Sequence, residues 1–250
     1  MAKFTVIGGC GSSDLAKRIA RRLKATYIKT EKKVFPDGES KITINQIPKK
    51  SIVVVVQSTH PPVDSNLLEL LSIVSKVQKF SSKVYAVIPY MGYARQDREF
   101  LGGEIITIGV VGKLLKASGV KKVLTVDIHS KLALKELKIP SENISAMEVL
   151  VTYFKKMKMR DVLVVSPDLG GRVRVKEFAR LLKTDSIALK KHRDRKTGKV
   201  RILSEKVDVK DRDLIIVDDI ISTGGSIVKA TKFLKKQKCK RVFVACTHAL

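Results

Sequence analysis

The chain lacks tryptophan altogether, and its aromatic residues amount to only 5% of the 250 positions. That leaves little from which to build a stacking platform for single-stranded nucleic acid. Its three cysteines, Cys10, Cys239 and Cys246, form no metal-ligand spacing and leave one thiol over, which favours a reducing compartment and excludes a disulfide scaffold. The longest apolar runs, such as Ile52–Val56 and Leu214–Val217, fall far short of the roughly 18 residues of a spanning helix. No secretory signal opens the chain either, because Met1-Ala2-Lys3 leads straight into Phe4-Thr5-Val6-Ile7 and a glycine turn. A cytoplasmic protein without membrane association is expected. Acidic residues are also scarce: 24 stand against 50 Lys and Arg, for a formal net charge of +26. Such a surface attracts polyanions of many kinds, from nucleic acid to phosphorylated metabolites. The basic residues are spread along helix faces (Lys17, Arg18, Arg21 and Arg22; Lys155, Lys156 and Lys158; Lys235, Lys236 and Lys238) and do not form a tail, so contact with nucleic acid is expected to be non-specific only.

With 44% hydrophobic residues the chain can bury a core, and its length allows one or two domains. Short β-branched runs recur at Phe4–Ile7, Ile52–Val56, Val84–Ile88, Val123–Val126, Val162–Val165, Leu214–Val217 and Val242–Ala245. Continuous apolar runs of this length signal parallel strands buried on both faces. Helical patterns lie between them at Ser13–Lys24, Asp64–Lys79, Glu104–Ser118, Met147–Met157, Arg172–Lys183 and Ser226–Lys238. In the first, Leu15, Ile19 and Leu23 form one stripe, with Ser12 or Ser13 as a cap. The class is α/β. Lys41–Asn45 alternates like a half-exposed strand, and Leu189–Leu203 reads as a basic β-hairpin around the turn Arg195–Gly198. A boundary near Pro140–Ser145 divides the chain into domains 1–144 and 145–250.

The turn Gly8-Gly9-Cys10-Gly11 follows a strand, but the third glycine of a dinucleotide fingerprint would fall on Asp14, so a tight turn is the better reading. No Walker loop occurs. The strongest motif runs from Leu214 to Ser226: an apolar strand ending in Asp218 and Asp219, then a small-residue loop entering a helix. Backbone N–H groups, the hydroxyls of Ser222, Thr223 and Ser226, and the helix N-terminus can wrap a phosphate there. Ribose hydroxyls would reach Asp218 and Asp219. Phe35 beside Asp37 and Glu39 offers either an adenine surface with acceptors for an exocyclic amine, or a turn around a buried ring. Arg95 and Gln96 can hold a triphosphate or form an ordinary salt-bridged surface. His129 and Asp168 each follow a strand, where open parallel sheets bind ligands. Lys191 and Arg193 stand on the basic hairpin.

The Leu214–Ser226 loop resembles the phosphoribosyl diphosphate (PRPP) loop of phosphoribosyltransferases and of ribose-phosphate diphosphokinases. Phe35–Ser40, Pro89–Arg98, Asp127–Ser130 and Pro167–Gly171 are similar to diphosphokinase segments, in that family's order, and the resemblance runs from the first strand to the last residue. It implies two phosphoribosyltransferase-like domains, each a mostly parallel sheet flanked by helices, with the basic hairpin as a catalytic flap. It implies transfer of a diphosphoryl group from ATP to ribose 5-phosphate, with Mg2+ at His129 and Asp168. ATP falls to Phe35, Asp37, Gly38, Glu39, Arg95 and Gln96, and ribose 5-phosphate to Asp218, Asp219, Ser222, Thr223, Gly224, Gly225, Ser226 and Arg193. Lys191 and Arg193 become the catalytic cations, and Gly170 and Gly171 admit a diphosphate to backbone amides. A homo-oligomer is implied, with the Phe35–Glu39 loop completing a neighbour's ATP site. Ser226 stands where Thr is usual and Val175 where Ala is usual, and the chain ends before the family's last elements. That ending supports an alternative, a catalytically inactive regulatory relative. A phosphoribosyltransferase with affinity for nucleic acid would leave Phe35–Ser40 and Arg95–Asp97 unexplained.

Overall fold

The computed structural model describes residues 4–48, 51–81, 83–193, 200–202 and 207–250, with backbone alone for 191–193 and 200–202. The chain divides into two compact units, Met1–Ile144 and Ser145–Leu250.

The first unit is built on β1 (Phe4–Gly8), β2 (Thr26–Val34), β3 (Ser40–Ile44), β4 (Ile52–Val56), β5 (Lys83–Ile88), β6 (Val120–Val126) and β7 (Ser141–Ile144). They form one sheet in the order β3-β2-β1-β4-β5-β6-β7. Every pairing is parallel except β2 with β3, whose register sets Val34 opposite Ser40. Alternation along the strands sends successive side chains to opposite faces. Ile7, Val53, Val55, Val84, Ala86 and Ile88 therefore pack on one side with the helices α2 (Val63–Val77), α3 (Thr107–Ser118) and α4 (Lys131–Glu136). Val6, Val54 and Val56 meet Ala16 and Ala20 of α1 (Ser13–Leu23) on the other.

The second unit contains α5 (Met147–Lys155), β8 (Val162–Ser166), α6 (Arg172–Leu182), β9 (Asp185–Ala188), β10 (Lys191–Arg193), β11 (Val200–Ile202), β12 (Asp213–Ile221), α7 (Gly225–Lys236) and β13 (Arg241–Ala249). Its parallel sheet has the order β13-β12-β8-β9. Phe154 of α5 and Phe178 of α6 meet edge to face at 5.9 Å over Val164, Ile215 and Val217. Ile227, Ala230 and Leu234 of α7 close the opposite face over Leu163, Val165, Leu214 and Ile216. Asp213, fully buried at the start of β12, accepts Arg241 Nε (2.9 Å), Arg241 Nη2 (2.6 Å) and the Arg160 N–H (2.8 Å). Hydrogen bonds from Arg241 are the main reason that its pKa falls to about 2.

β10 and β11 pair antiparallel as a separate ribbon, whereas the predicted turn Arg195–Gly198 lies outside the described residues. Three features differ from the sequence reading. Instead of ending at its two acids, β12 continues past Asp218 and Asp219 to Ile221, because β13 pairs beside it to that point, with Asp218 opposite Cys246 and Ile220 opposite His248. Ser12 does not cap α1: its hydroxyl accepts the Ser58 N–H at 2.8 Å. The helix expected from Glu104 begins at Thr107.

Candidate active site

In each unit the strand order reverses beside the first strand, between β1 and β4 and between β8 and β12. Crevices at such switch points are where open parallel sheets hold ligands. In the first unit the crevice is occupied by the protein itself. The Gly8–Gly11 segment becomes a tight turn: the Cys10 N–H donates to Glu69 Oε1 (2.7 Å) and the Gly11 N–H to Gln57 Oε1 (3.2 Å). Glu69 is fully buried, and Lys32 Nζ lies 3.6 Å from its Oε2. Amides that a pyrophosphate would need are already engaged, and a carboxylate sits beneath them, so the turn is no dinucleotide loop. Burial and then Glu69 push the Cys10 thiol above its ordinary pKa, which makes it a poor nucleophile.

The second unit's crevice is different. After β12, Ser222 and Thr223 are exposed, Gly224 takes φ 72°, and α7 starts at Gly225 with no side-chain cap. Helix N–H groups and the positive dipole end thus face the loop that carries Ser222, Thr223, Gly224, Gly225 and Ser226. Thr223 Oγ1 accepts the Gly225 N–H at 3.5 Å. Across the crevice, the residues after β8 form a 3₁₀ turn, Leu169–Gly171. Asp168 caps it by accepting the Gly171 N–H (3.2 Å), and Ser166 Oγ donates to the Asp168 carbonyl (2.6 Å). Gly171 is buried and spoken for, since a Cβ there would come within 2.3 Å of Ser166 Oγ. Its amide donates to Asp168, so a diphosphate at Gly170 and Gly171 would compete with that bond.

Asp218 and Asp219 share one cation. Arg174 Nη1 lies 3.4 Å from Asp218 Oδ1, and Nη2 lies 3.2 Å from Asp219 Oδ2. The Asp219 N–H donates to Asp218 Oδ1 at 2.9 Å. Burial, followed by the hydrogen bond and charge of the Asp219 carboxyl, pushes the Asp218 pKa up to about 7 against the pull of Arg174. Asp218 is therefore about half protonated at neutral pH. Sequence reasoning missed Arg174. A signal was present, because Arg172 and Arg174 occupy the first turn of α6, where no acid stands and where the helix dipole disfavours cations.

In the first unit, the β2–β3 connection turns through Phe35, Asp37 and Gly38, closed by the Phe35 N–H to Glu39 carbonyl bond (2.8 Å) and by Gly38 at φ 91°. Phe35 is 37% exposed under Lys33 Nζ, 5.4 Å from the ring centre. The ring is thus on the surface, which removes the buried-turn alternative. Asp37 Oδ1 accepts the Glu39 N–H at 3.0 Å. Arg95 and Gln96 are exposed beyond β5, and Gln96 Oε1 accepts Thr107 Oγ1 at 2.7 Å. His129 is exposed beyond β6. Between them lies Asp97, buried at 3% exposure. It receives Arg98 Nε (3.0 Å) and Nη2 (3.2 Å) and the Ser130 hydroxyl. Arg98's hydrogen bonds foremost, aided by Ser130 and by the charges of Arg98 and His129, outweigh burial and hold the Asp97 carboxyl below its usual range. The side chains of Lys191 and Arg193 lie outside the described residues.

The chain matches two family models: one for the N-terminal domain of ribose phosphate pyrophosphokinase over residues 4–119, the other for a phosphoribosyl transferase domain over 134–249. It is 37% identical to the ribose-phosphate pyrophosphokinase of Haemophilus influenzae, across 100% of this chain and 80% of that protein. The chain belongs to the ribose-phosphate pyrophosphokinase family. The Vibrio cholerae pyrophosphokinase is 38% identical over the same shares of both chains. The crystal structure of phosphoribosylpyrophosphate synthetase from Mycobacterium smegmatis matches with a TM-score of 0.88 and 27% identity, over 99% of this chain and 81% of that one. Among the described residues, no helix of this pyrophosphokinase-family chain is long and apolar enough to cross a membrane.

Proposed function

We propose that the chain transfers the β,γ-diphosphoryl group of MgATP to the anomeric hydroxyl of ribose 5-phosphate, giving PRPP and AMP. The observation that carries this reading is the second unit's switch point, where a shared acid pair and an uncapped helix N-terminus stand together in a chain similar over its whole length to pyrophosphokinases. Ser222–Ser226 receive the 5-phosphate, as a helix N-terminus receives anions. Asp218 and Asp219 accept ribose hydroxyls and fix the orientation of the sugar, with Arg174 holding both carboxylates in place. The anomeric hydroxyl gives up its proton to solvent as its oxygen attacks the β-phosphorus, the bond from that phosphorus to the α,β-bridging oxygen breaks, and AMP leaves with the electron pair. Lys191 and Arg193 stabilise charge on the transferring group, and the hairpin that carries them excludes water. Phe35, Asp37, Gly38, Glu39, Arg95 and Gln96 hold the nucleotide.

The donor chemistry at two strand ends fits magnesium. Asp168 would offer the metal a hard carboxylate oxygen and the exposed His129 a contact through water, each at a strand end of its own unit. Bound with the nucleotide, the metal neutralises polyphosphate charge. The cytoplasm is the proposed compartment, and non-specific attraction is the proposed relation to nucleic acid.

The catalytic reading is tested by AMP release. It should require protein, MgATP and ribose 5-phosphate together, and free ribose should not replace the sugar phosphate. Release without the sugar phosphate, or none in the complete mixture, overturns it. We further propose a homo-oligomer in which the exposed Phe35–Glu39 turn completes a neighbour's ATP site. Phe35→Ala and Lys191→Ala chains, each inactive alone, should then regain activity when co-assembled. Mixed oligomers that stay inactive refute the shared site.

A further inference from the structure

Arg95 and Gln96 leave β5 on one loop, whereas His129 leaves β6 on another. Neither loop has regular structure of its own: residues 89–106 carry no strand or helix, and 127–130 bridge β6 to α4. Asp97 links them. Its carboxylate accepts Nε and Nη2 of Arg98 on the first loop, at 3.0 and 3.2 Å, and the hydroxyl of Ser130 on the second. The same Ser130 oxygen accepts the Ala133 N–H at 2.9 Å and caps α4. The first loop has a further anchor, from Gln96 to Thr107 at the start of α3. A buried carboxylate committed to a guanidinium and a hydroxyl has well-defined geometry, since each departure leaves a charge or donor unpaired.

We infer that Asp97 is a positioning residue that ties the loop of Arg95 and Gln96 to the turn of His129, and so sets affinity for the magnesium nucleotide without touching it. The inference rests on the proposed assignment of those three residues to MgATP. Outer-shell partners of this kind change affinity by about 10–100-fold when lost.

The test compares Asp97→Ala, Asp97→Asn, Ser130→Ala and the double variant Asp97→Ala/Ser130→Ala. It measures the calorimetric Kd for MgATP, the half-saturating ribose 5-phosphate concentration, and the urea midpoint. Asp97→Ala should raise the MgATP Kd about tenfold or more, with the ribose 5-phosphate value moving by less than about twofold. Asp97→Asn, which still accepts the Ser130 hydroxyl, should recover part of the loss. The double variant should bind MgATP no worse than Asp97→Ala, since both changes cut one link. An unchanged Kd in folded Asp97→Ala, equal losses for both substrates, or losses that multiply in the double variant would each overturn the inference. Should Asp97→Ala fail to fold, Asp97→Asn and Ser130→Ala decide it by the same Kd comparison. A wild-type chain that binds MgATP but releases no AMP overturns the proposed reaction and leaves this comparison intact. A wild-type chain that binds no MgATP overturns both.

Discussion

Replacing Asp218 by Asn should make the protein more stable and less capable, with the gain in stability controlled by pH. In the folded chain the Asp218 pKa is raised from 3.8 to about 7 by burial and by Asp219. An acid whose pKa is raised on folding binds its proton more tightly in the native state, so it costs nothing below about pH 4. The cost grows as pH rises and is complete above about 7. Fully ionised, a shift of that size corresponds to about 4 kcal/mol. The side chain is 21% exposed, and screening brings the expected effect to about 1–3 kcal/mol. The amide keeps an oxygen to accept the Asp219 N–H, and Arg174 retains Asp219. Urea unfolding of both proteins at pH 4, 6 and 8 should show Asp218→Asn ahead by about 1–3 kcal/mol at pH 8, with the lead shrinking to a few tenths at pH 4. Comparing variant with wild type at each pH cancels the titration of groups not coupled to Asp218. Activity should move the other way, with ribose 5-phosphate binding weakened more than MgATP, because an amide presents donors where a carboxylate accepts two hydroxyls. A variant less stable at pH 8, or a difference that ignores pH, would show that Asp218 is not held near neutrality at a cost to the fold.

Three further outcomes follow. Lys191→Ala and Arg193→Ala should each lower turnover by about two to four orders of magnitude while the MgATP Kd stays near wild type, as expected of cations that act on the transition state; near-normal turnover in both refutes the assignment. Asp213, with its pKa lowered to about 2, gives stability that is complete above about pH 4 and lost as pH falls through 2, so Asp213→Asn should cost about 1–2 kcal/mol at pH 7 and progressively less below pH 4 in chemical denaturation; a cost that does not fall with pH contradicts this. Gly171→Ala should cost about 1–3 kcal/mol, because its methyl would meet Ser166 Oγ, and adding Ser166→Ala should recover part of that loss; no recovery means that the crowding lies elsewhere.

The sequence disclosed the elements whose burial is two-sided. Ile52–Val56 and Leu214–Val217 are unbroken apolar runs because parallel strands covered on both faces tolerate nothing else. It was nearly silent on β2, written Thr-Tyr-Ile-Lys-Thr-Glu-Lys-Lys-Val, whose lysines hide an alternation that shows only in the burial of Ile28 and Thr30. Short edge elements such as β7 and β9 carry too few residues for any period to register. The Ser222–Ser226 loop was legible as a candidate for phosphate because small residues after a strand are costly without a purpose. Arg174 and Asp97 were not, since what they do depends on partners 44 and 33 positions away: the arginines in the first turn of α6 mark an oddity, but a local pattern does not name a partner at that distance.

The strand orders bear on how the chain is made. In the first unit β1 is synthesised first and lies inside the sheet; β2 and β3 add to one side of it, then β4, β5, β6 and β7 to the other. The second sheet grows in the same way from β8, with β9 on one flank and β12 and β13 on the other. No strand in either sheet has to be threaded between two that are already paired. At about 5–20 residues per second, the first unit's strands leave the ribosome over roughly ten seconds, and each finds an open edge waiting. Assembly can follow translation step for step, and the slow search usually required by parallel sheets is divided into short increments.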